Sequence, residues 1–368
     1  MTILRSEIVE QHIDRRAATR GRFVKEVVLA RGDVPLMLIR KRFAATLAEP
    51  PKATLLLVHG FGQNRYAWHL PSRSFVNHLA AAGFDVFNLD LRGHGRSRMV
   101  GAQRPLDLTE YIEEDIPRAL EEVRRTTGRD DLFMVGHSLG GLISYASAPL
   151  ATGLVRGLVT IGSPYRFTMG SGILKVIAGL LSLLEKTGVR IANMPIPIRM
   201  IGRGLNLSRR YLESPFYPVK LRGWNKGAIE PDVLAEHMKL AFDLASLQVM
   251  LTMFRWSGGK SFGGGIASEI DGLSYAERFE RCKLPLLVIA GTEDDLAPPA
   301  SVEPAYLYSR SPDKSYRELP LGHIDLLVGK DAPNSTWPIV ERWLASRASR
   351  LWPVAVSATG TDGSEDVP

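Results

Sequence analysis

Asp131-Leu-Phe-Met-Val-Gly-His-Ser-Leu-Gly-Gly141 compresses a strand, a sharp turn and the start of a helix into one short stretch. Leu132 to Val135 is an apolar run of the kind that fills a central parallel strand, and Leu139 to Leu150 reads as the helix that follows, with small residues toward the sheet. Between them stands Gly136-His137-Ser138-Leu139-Gly140, the pattern G-x-S-x-G. A serine on so tight a strand-to-helix turn has a strained backbone, and only glycine at the flanking positions lets strand and helix approach closely enough. The strain holds the hydroxyl out where a substrate can reach it. Ser138 is therefore the candidate nucleophile, although glycine and serine are common in ordinary turns and five residues do not establish catalysis alone.

A nucleophilic serine requires a base and an acid that orients the base, both at the ends of later strands. Leu284-Pro-Leu-Leu-Val-Ile-Ala290 runs into Gly291-Thr-Glu-Asp-Asp-Leu-Ala-Pro298, which sets Asp294 just past a strand end, with Asp295 as the alternative acid. Ser315 to Leu319 is followed by Leu321-Gly-His-Ile-Asp325, which sets His323 just past the last strand. The order Ser, Asp, His along the chain is the one a G-x-S-x-G hydrolase requires. In that scheme His323 takes the serine proton and returns it to the leaving group, while Asp294 fixes the imidazole tautomer. A developing oxyanion needs two backbone N–H donors. Leu139, next to the nucleophile, and Phe61, which follows the strand-terminal His59-Gly60, are the candidates. His137 is expected to point away across the turn, and His59 and His94 to make local hydrogen bonds in their loops.

Outward from this centre, strands and helices alternate. Residues 1–20 are polar and charged and are expected to form an N-terminal arm. Arg22 to Arg31 and Val34 to Phe43 alternate apolar and polar around Gly32-Asp33, the pattern of a β-hairpin. Ala53 to Val58 and Phe84 to Leu91 read as buried strands, and Asp107 to Thr127 as an amphipathic helix with Ile112, Ile116, Leu120 and Val123 on one stripe. That rhythm predicts an α/β fold, a mostly parallel sheet with helices on both faces. Gly157 to Gly162 is one more strand, and the next convincing one, Leu284 to Ala290, begins about 120 residues later, far beyond an ordinary connection of roughly 2 to 6 residues. The interval must carry structure of its own. Ile173 to Leu184 is almost wholly apolar, and Pro231 to Trp256 is a helical candidate rich in Met and Leu. Residues 163–280 are expected to form a helical cap inserted between two parts of the core, 21–162 and 281–352, with a polar, disordered tail at 353–368.

Composition narrows the function. A chain of 368 residues, 45% of them hydrophobic, can bury a large core and is neither fibrous nor disordered. The single cysteine, Cys282, excludes an internal disulfide framework and suits a reducing compartment. The N-terminus lacks the apolar core and cleavage site of a signal peptide, and no run reaches the roughly 20 apolar residues that cross a bilayer, so a cytoplasmic location is expected. No metal-ligand spacing appears, and neither a metal nor another cofactor is expected. The net charge of +7 is concentrated in one place, because from Lys175 to Lys226 ten cations face only Glu185 and Glu213. Charge without a recognisable motif does not point to nucleic acid. Basic residues beside an apolar helix suit peripheral association with an anionic membrane surface; a solvated face, or an anionic substrate such as an acyl-CoA thioester, are the alternatives.

Taken together, these segments resemble the α/β-hydrolase superfamily: His59-Gly-Phe-Gly62, Asp90-Leu-Arg-Gly-His-Gly-Arg-Ser97, Gly136-His-Ser-Leu-Gly-Gly141 and the Asp294 and His323 segments all look like its motifs. Within it, Trp68-His-Leu-Pro71, Ala82-Gly-Phe-Asp-Val86, Gly291-Thr-Glu-Asp-Asp-Leu-Ala297 and His323-Ile-Asp-Leu-Leu-Val-Gly-Lys-Asp-Ala-Pro333 look like the acid or gastric lipase branch, over both halves of the core but not the cap. The resemblance implies hydrolysis of carboxylic esters with acyl chains through an acyl-enzyme, with Ser138, Asp294 and His323 as the triad and a small-molecule acyl ester as the partner. Those lipases are secreted or lysosomal, from which a chain without a signal peptide departs. In the expected cap, Met238, Met250 and Met253 are candidates for the adaptable lining of an acyl pocket, or for simply holding cap helices on the core. An acyltransferase or thioesterase on the same triad, or a non-catalytic ligand-binding protein, are the competing classes. The polyester synthases of the superfamily carry cysteine where Ser138 stands, and its epoxide hydrolases and dehalogenases carry aspartate.

Overall fold

A computed structural model describes residues 2–166, 195–214, 223–256 and 274–351. Its main sheet contains β1 (Ile3–Asp14), β2 (Thr19–Ala30), β3 (Leu36–Phe43), β4 (Thr54–Val58), β5 (Asp85–Asp90), β6 (Leu132–His137), β7 (Val155–Ile161), β10 (Leu286–Gly291) and β11 (Lys314–Leu319). The two short strands β8 (Pro195–Ile196) and β9 (Ala245–Ser246) pair with each other outside it. The order across the sheet is β1-β2-β3-β5-β4-β6-β7-β10-β11. From β5 to β11 all neighbours are parallel, whereas β1, β2 and β3 join in antiparallel fashion at one side.

Every residue of β4, β5 and β6 is buried, which is why these strands read as unbroken apolar runs rather than alternating ones. On one face Leu56, Val58, Met134 and Val288 pack against the helices Ile116–Thr127 and Leu139–Ser147. On the other, Leu55, Leu57, Phe133, Val135 and Ile289 meet the helices Phe75–Ala81 and Thr336–Leu351. Each such side chain contributes about 1.5–3 kcal/mol on burial. Parallel strands end together, so the loops after β4, β6, β10 and β11 converge at one edge of the sheet, where ligand sites of such sheets form.

Three local expectations change. Residues 1–20 are not an arm, because Ile3–Asp14 is an edge strand in register with β2. Its charges mislead in the sequence: an edge strand faces water, and charged pairs such as Lys25 to Glu7 at 2.9 Å deter pairing with another chain. The helix expected over Asp107 to Thr127 begins as a π-helical turn, Tyr111–Asp115, before Ile116–Thr127. Pro231 to Trp256 is two helices, Pro231–Leu240 and Leu247–Trp256, because the chain between them leaves the helix to bond with the loop after β4. The helices Ile198–Leu207 and Arg209–Leu212 also fall in the expected cap interval. The apolar run Ile173 to Leu184 and the tail 353–368 lie outside the described residues. No helix of the described residues is long and apolar enough to cross a membrane.

Candidate active site

β6 ends at His137, and Ser138 turns directly into the helix Leu139–Ser147. Ser138 has φ 53° and ψ −122°, a conformation L-residues rarely adopt. Such a residue costs about 1–3 kcal/mol and persists only where its surroundings impose it. Here the flanking glycines make the turn possible. A Cβ on Gly136 would sit 2.5 Å from the backbone of Gly141, and one on Gly140 would collide with the carbonyl oxygen of Val58. The helix start is thus pressed against β4 and β6, and Ser138 is left partly exposed while its neighbours are buried.

The loops after β10 and β11 bring the two other candidates together. His323 Nδ1 lies 2.7 Å from Asp294 Oδ2, with both side chains buried. The other oxygen, Asp294 Oδ1, accepts from the N–H groups of Leu296 at 2.9 Å and Ala297 at 2.7 Å, which locks the carboxylate. Asp295, the alternative acid, instead accepts from the Gly223 N–H at 3.0 Å. Burial works to lower the pKa of His323, but the charge and hydrogen bond of Asp294 outweigh it and hold the imidazole above its ordinary value. Its Nδ1 then carries the proton toward Asp294, and Nε2 is the basic nitrogen. His137 does not point away from this group. Its ring packs against that of His323 with centroids 4.7 Å apart, and its Nε2 donates to the His323 carbonyl at 3.2 Å. Burial, with His323 beside it, keeps His137 well below the usual imidazole pKa and hence neutral.

The turn after β4 supplies the second candidate N–H. A Cβ on Gly60 would stand 3.1 Å from the Cβ of Ser138, so this backbone runs alongside the candidate nucleophile. Among the described residues the N–H groups of Phe61 and Leu139 bond to no other backbone group. The turn is fixed from several sides. Gln63 Oε1 accepts from the Gly60 N–H at 3.2 Å. His59 Nδ1 donates to the Gly60 carbonyl at 3.0 Å while its Nε2 accepts from the Leu91 N–H at 3.2 Å, the local role expected of it. Asp90 receives the N–H of Arg65 at 2.8 Å and of Arg96 at 2.8 Å.

Two residues that sequence reasoning missed complete the clasp. Asp243 donates its N–H to the Gly62 carbonyl at 2.8 Å, and Asn64 donates its own to the Ala241 carbonyl at 2.9 Å. The carboxylate of Asp243 accepts from the Gly95 N–H at 2.8 Å and from Arg98 at 2.7 Å. Burial alone would raise its pKa, but these donors, with Leu244, lower it, so Asp243 is an anion tying three loops together. Nothing in the sequence near Asp243 signals this, because Gly62, Gly95 and Arg98 lie more than a hundred residues away.

The methionines are not gathered at one pocket. Met238 joins the apolar cluster on the Leu55 face of the sheet, Met253 joins the cluster on the opposite face, and Met250 is half-buried. Met238 and Met253 are both buried, at 1% and 2% exposure, in contact with core side chains. Of the ten cations from Lys175 to Lys226, Lys175, Lys186, Arg190, Lys220 and Arg222 lie outside the described residues. Arg209 pairs with Glu213 at 3.0 Å, and Arg203 and Arg210 are exposed.

A family model described as the alpha/beta hydrolase fold matches residues 53–186. Among curated proteins, the chain is 25% identical over 384 residues to the poly(3-hydroxyalkanoate) polymerase subunit PhaC of Haloferax mediterranei, covering 96% of this chain and 70% of that one. It is 23% identical over 368 residues to the subunit of the same name from Allochromatium vinosum, covering 92% and 93%. Among solved structures it resembles the monoacylglycerol lipase of Paleococcus ferrophilus, with a TM-score of 0.56 and 21% identity over 85% of this chain and 99% of that one. A soluble variant of the monoglyceride lipase from Saccharomyces cerevisiae gives a TM-score of 0.56 and 16% identity over 86% and 93%. At these identities the structural likenesses speak to the fold alone.

Proposed function

With the α/β-hydrolase fold established and membership of that superfamily supported by the family match over residues 53–186, we propose that this chain is a serine hydrolase of carboxylic esters bearing acyl chains. The observation that carries the reading is the strained Ser138 between Gly136 and Gly140, whose neighbour His137 packs at 4.7 Å on a buried His323 already bonded to Asp294 at 2.7 Å. His323 Nε2 takes the proton of Ser138 as Oγ forms a bond to the acyl carbon, and the carbonyl electrons move to an oxygen held by the Phe61 and Leu139 N–H groups. Collapse of that oxyanion breaks the ester C–O bond, and the departing alkoxide takes the proton from His323. Water repeats the sequence on the acyl-enzyme and releases the acid. The acid-lipase-like segments of the core support acyl esters as the substrate class.

Ser138→Ala tests this directly. Hydrolysis of p-nitrophenyl esters and labelling by a fluorophosphonate should both vanish with folding intact, since losing a triad nucleophile costs on the order of a million-fold in turnover. Undiminished turnover in that variant would sink the mechanism. Acyl transfer is the second reading, favoured by the similarity to polyhydroxyalkanoate polymerase subunits over nearly the whole chain. In that case a hydroxyl acceptor takes the place of water, and added alcohol would be acylated faster than free acid forms.

Peripheral contact with anionic lipid belongs to the same proposal. On the helices Ile198–Leu207 and Arg209–Leu212, Met200, Leu207 and Tyr211 are 69%, 87% and 57% exposed, among the exposed Arg203 and Arg210. Apolar and basic groups on one surface suit a lipid interface. Binding should appear with phosphatidylglycerol vesicles, be absent with phosphatidylcholine, and fade with salt as charges are screened beyond about 8 Å. Equal binding to both, or none to either, removes lipid from the proposal.

A further inference from the structure

Beside the turn that holds Arg65, the strands β1, β2 and β3 enclose a cavity of about 310 Å³ whose wall is strongly basic. Lys25, Lys41, Arg65 and Arg96 line it, against the single carboxylate of Glu10. Two of these cations are neutralised elsewhere, Lys25 by Glu7 at 2.9 Å and Arg65 by Asp90 at 2.7 Å. Glu10 itself turns to the exposed Arg20 at 3.5 Å. Lys41 and Arg96 have no carboxylate within ion-pair distance among the described residues.

Lys41 is the most telling of them, being only 1% exposed. Its ammonium meets three neutral acceptors: Gln11 Oε1, Asn77 Oδ1 at 2.7 Å and His69 Nε2 at 3.2 Å. Hydrogen bonds hold it in place, but no counter-charge offsets its removal from water. Burial lowers its pKa well below the ordinary value, with Lys25 and Arg65 adding to the effect. Two donors in the same wall are unused. Arg96 Nε is buried without a partner. The same holds for His12 Nδ1, which carries the ring proton because His12 Nε2 accepts from Arg20 at 3.1 Å.

We propose that this cavity is a binding site for a small soluble ligand bearing a phosphate or diphosphate group, distinct from the ester site at Ser138. An anion placed there supplies the missing counter-charge to Lys41 and accepts from Arg96 and His12. Two guanidinium groups and an ammonium around one space match the several oxygens of a phosphate better than a single carboxylate. The volume lies at the lower end of the range for small-ligand pockets, roughly 300–1,000 Å³, which suits a diphosphate with a short organic tail. Arg65 directly follows Asn64 in the turn that also carries Phe61, so occupancy would bear on the geometry of that turn.

The test uses inorganic pyrophosphate and isothermal titration calorimetry at constant ionic strength, on the full chain and on Ser138→Ala, so that binding is read independently of any esterase activity. One saturable site is expected in both. Arg96→Gln, a half-buried position where folding is readily kept, should weaken binding about tenfold or more, as loss of a charge-assisted hydrogen bond does. Lys41→Gln should weaken it at least as much. No saturable heat up to about 10 mM pyrophosphate, or an affinity unchanged in folded Arg96→Gln, overturns the proposal.

Discussion

Replacing Asp294 by asparagine separates the orienting role of this residue from its packing. In the native arrangement Oδ1 accepts from the Leu296 and Ala297 N–H groups, and Oδ2 faces His323 Nδ1 at 2.7 Å. In Asp294→Asn the amide has one oxygen, and the two backbone donors claim it. The opposite orientation would set the NH2 against two N–H groups and orphan both, at about 1–3 kcal/mol each. The amide NH2 therefore faces His323, whose Nδ1 becomes an acceptor and whose proton moves to Nε2. That nitrogen can no longer take a proton from Ser138. Inverting the tautomer in a Ser-His-Asp triad lowers kcat about 10⁴-fold, equivalent to about 5.5 kcal/mol of barrier. The assay is p-nitrophenyl butyrate hydrolysis with the fluorophosphonate labelling rate, and a melting curve to establish that the fold is kept. Asp294→Ala should be as inactive but melt lower, because it leaves the Leu296 and Ala297 donors unpaired. A folded Asp294→Asn protein with turnover within about tenfold of the parent would refute the claim that Asp294 sets the tautomer.

The remaining predictions concern the surroundings of the same group. His323 must be neutral to act as a base, and Asp294 holds its pKa above the ordinary imidazole value, so kcat/KM should fall as pH drops through a point above about 6.5. Asp325 is pushed up to about 7 by burial, against the donors Asn225 and Gly322, and its charge helps to raise His323. Asp325→Asn should then move the acid limb down by about half a pH unit; an unchanged or raised limb contradicts this assignment of charges. Asp243→Ala removes the acceptor for Gly95 and Arg98 that steadies the Phe61 turn, and should lower kcat about 10-fold to 100-fold with KM little changed, partly restored in Asp243→Asn. A rise in KM alone would show that Asp243 shapes substrate binding instead.

How much could be read from the chain alone follows from the range of the interactions involved. The G-x-S-x-G turn, the apolar runs of β4, β5, β6 and β10, and the alternation of strands with helices were legible because each rests on local geometry. A strained serine needs its glycines within two residues, and a doubly covered strand needs an unbroken apolar run. The same locality placed Asp294 and His323 after strands, but only the fold brought them within 2.7 Å and sent Asp295 to Gly223 instead. Tertiary structure also decided what local signals misreported. The charges of residues 1–20 suggested an arm, while the ladder to β2 makes an edge strand. Met238 and Met253, candidates by residue type alone, were divided by the fold between two separate apolar clusters. Asp243 and Lys41 carried no signal at all, since a buried charge acquires its meaning from partners the chain brings near only when it folds.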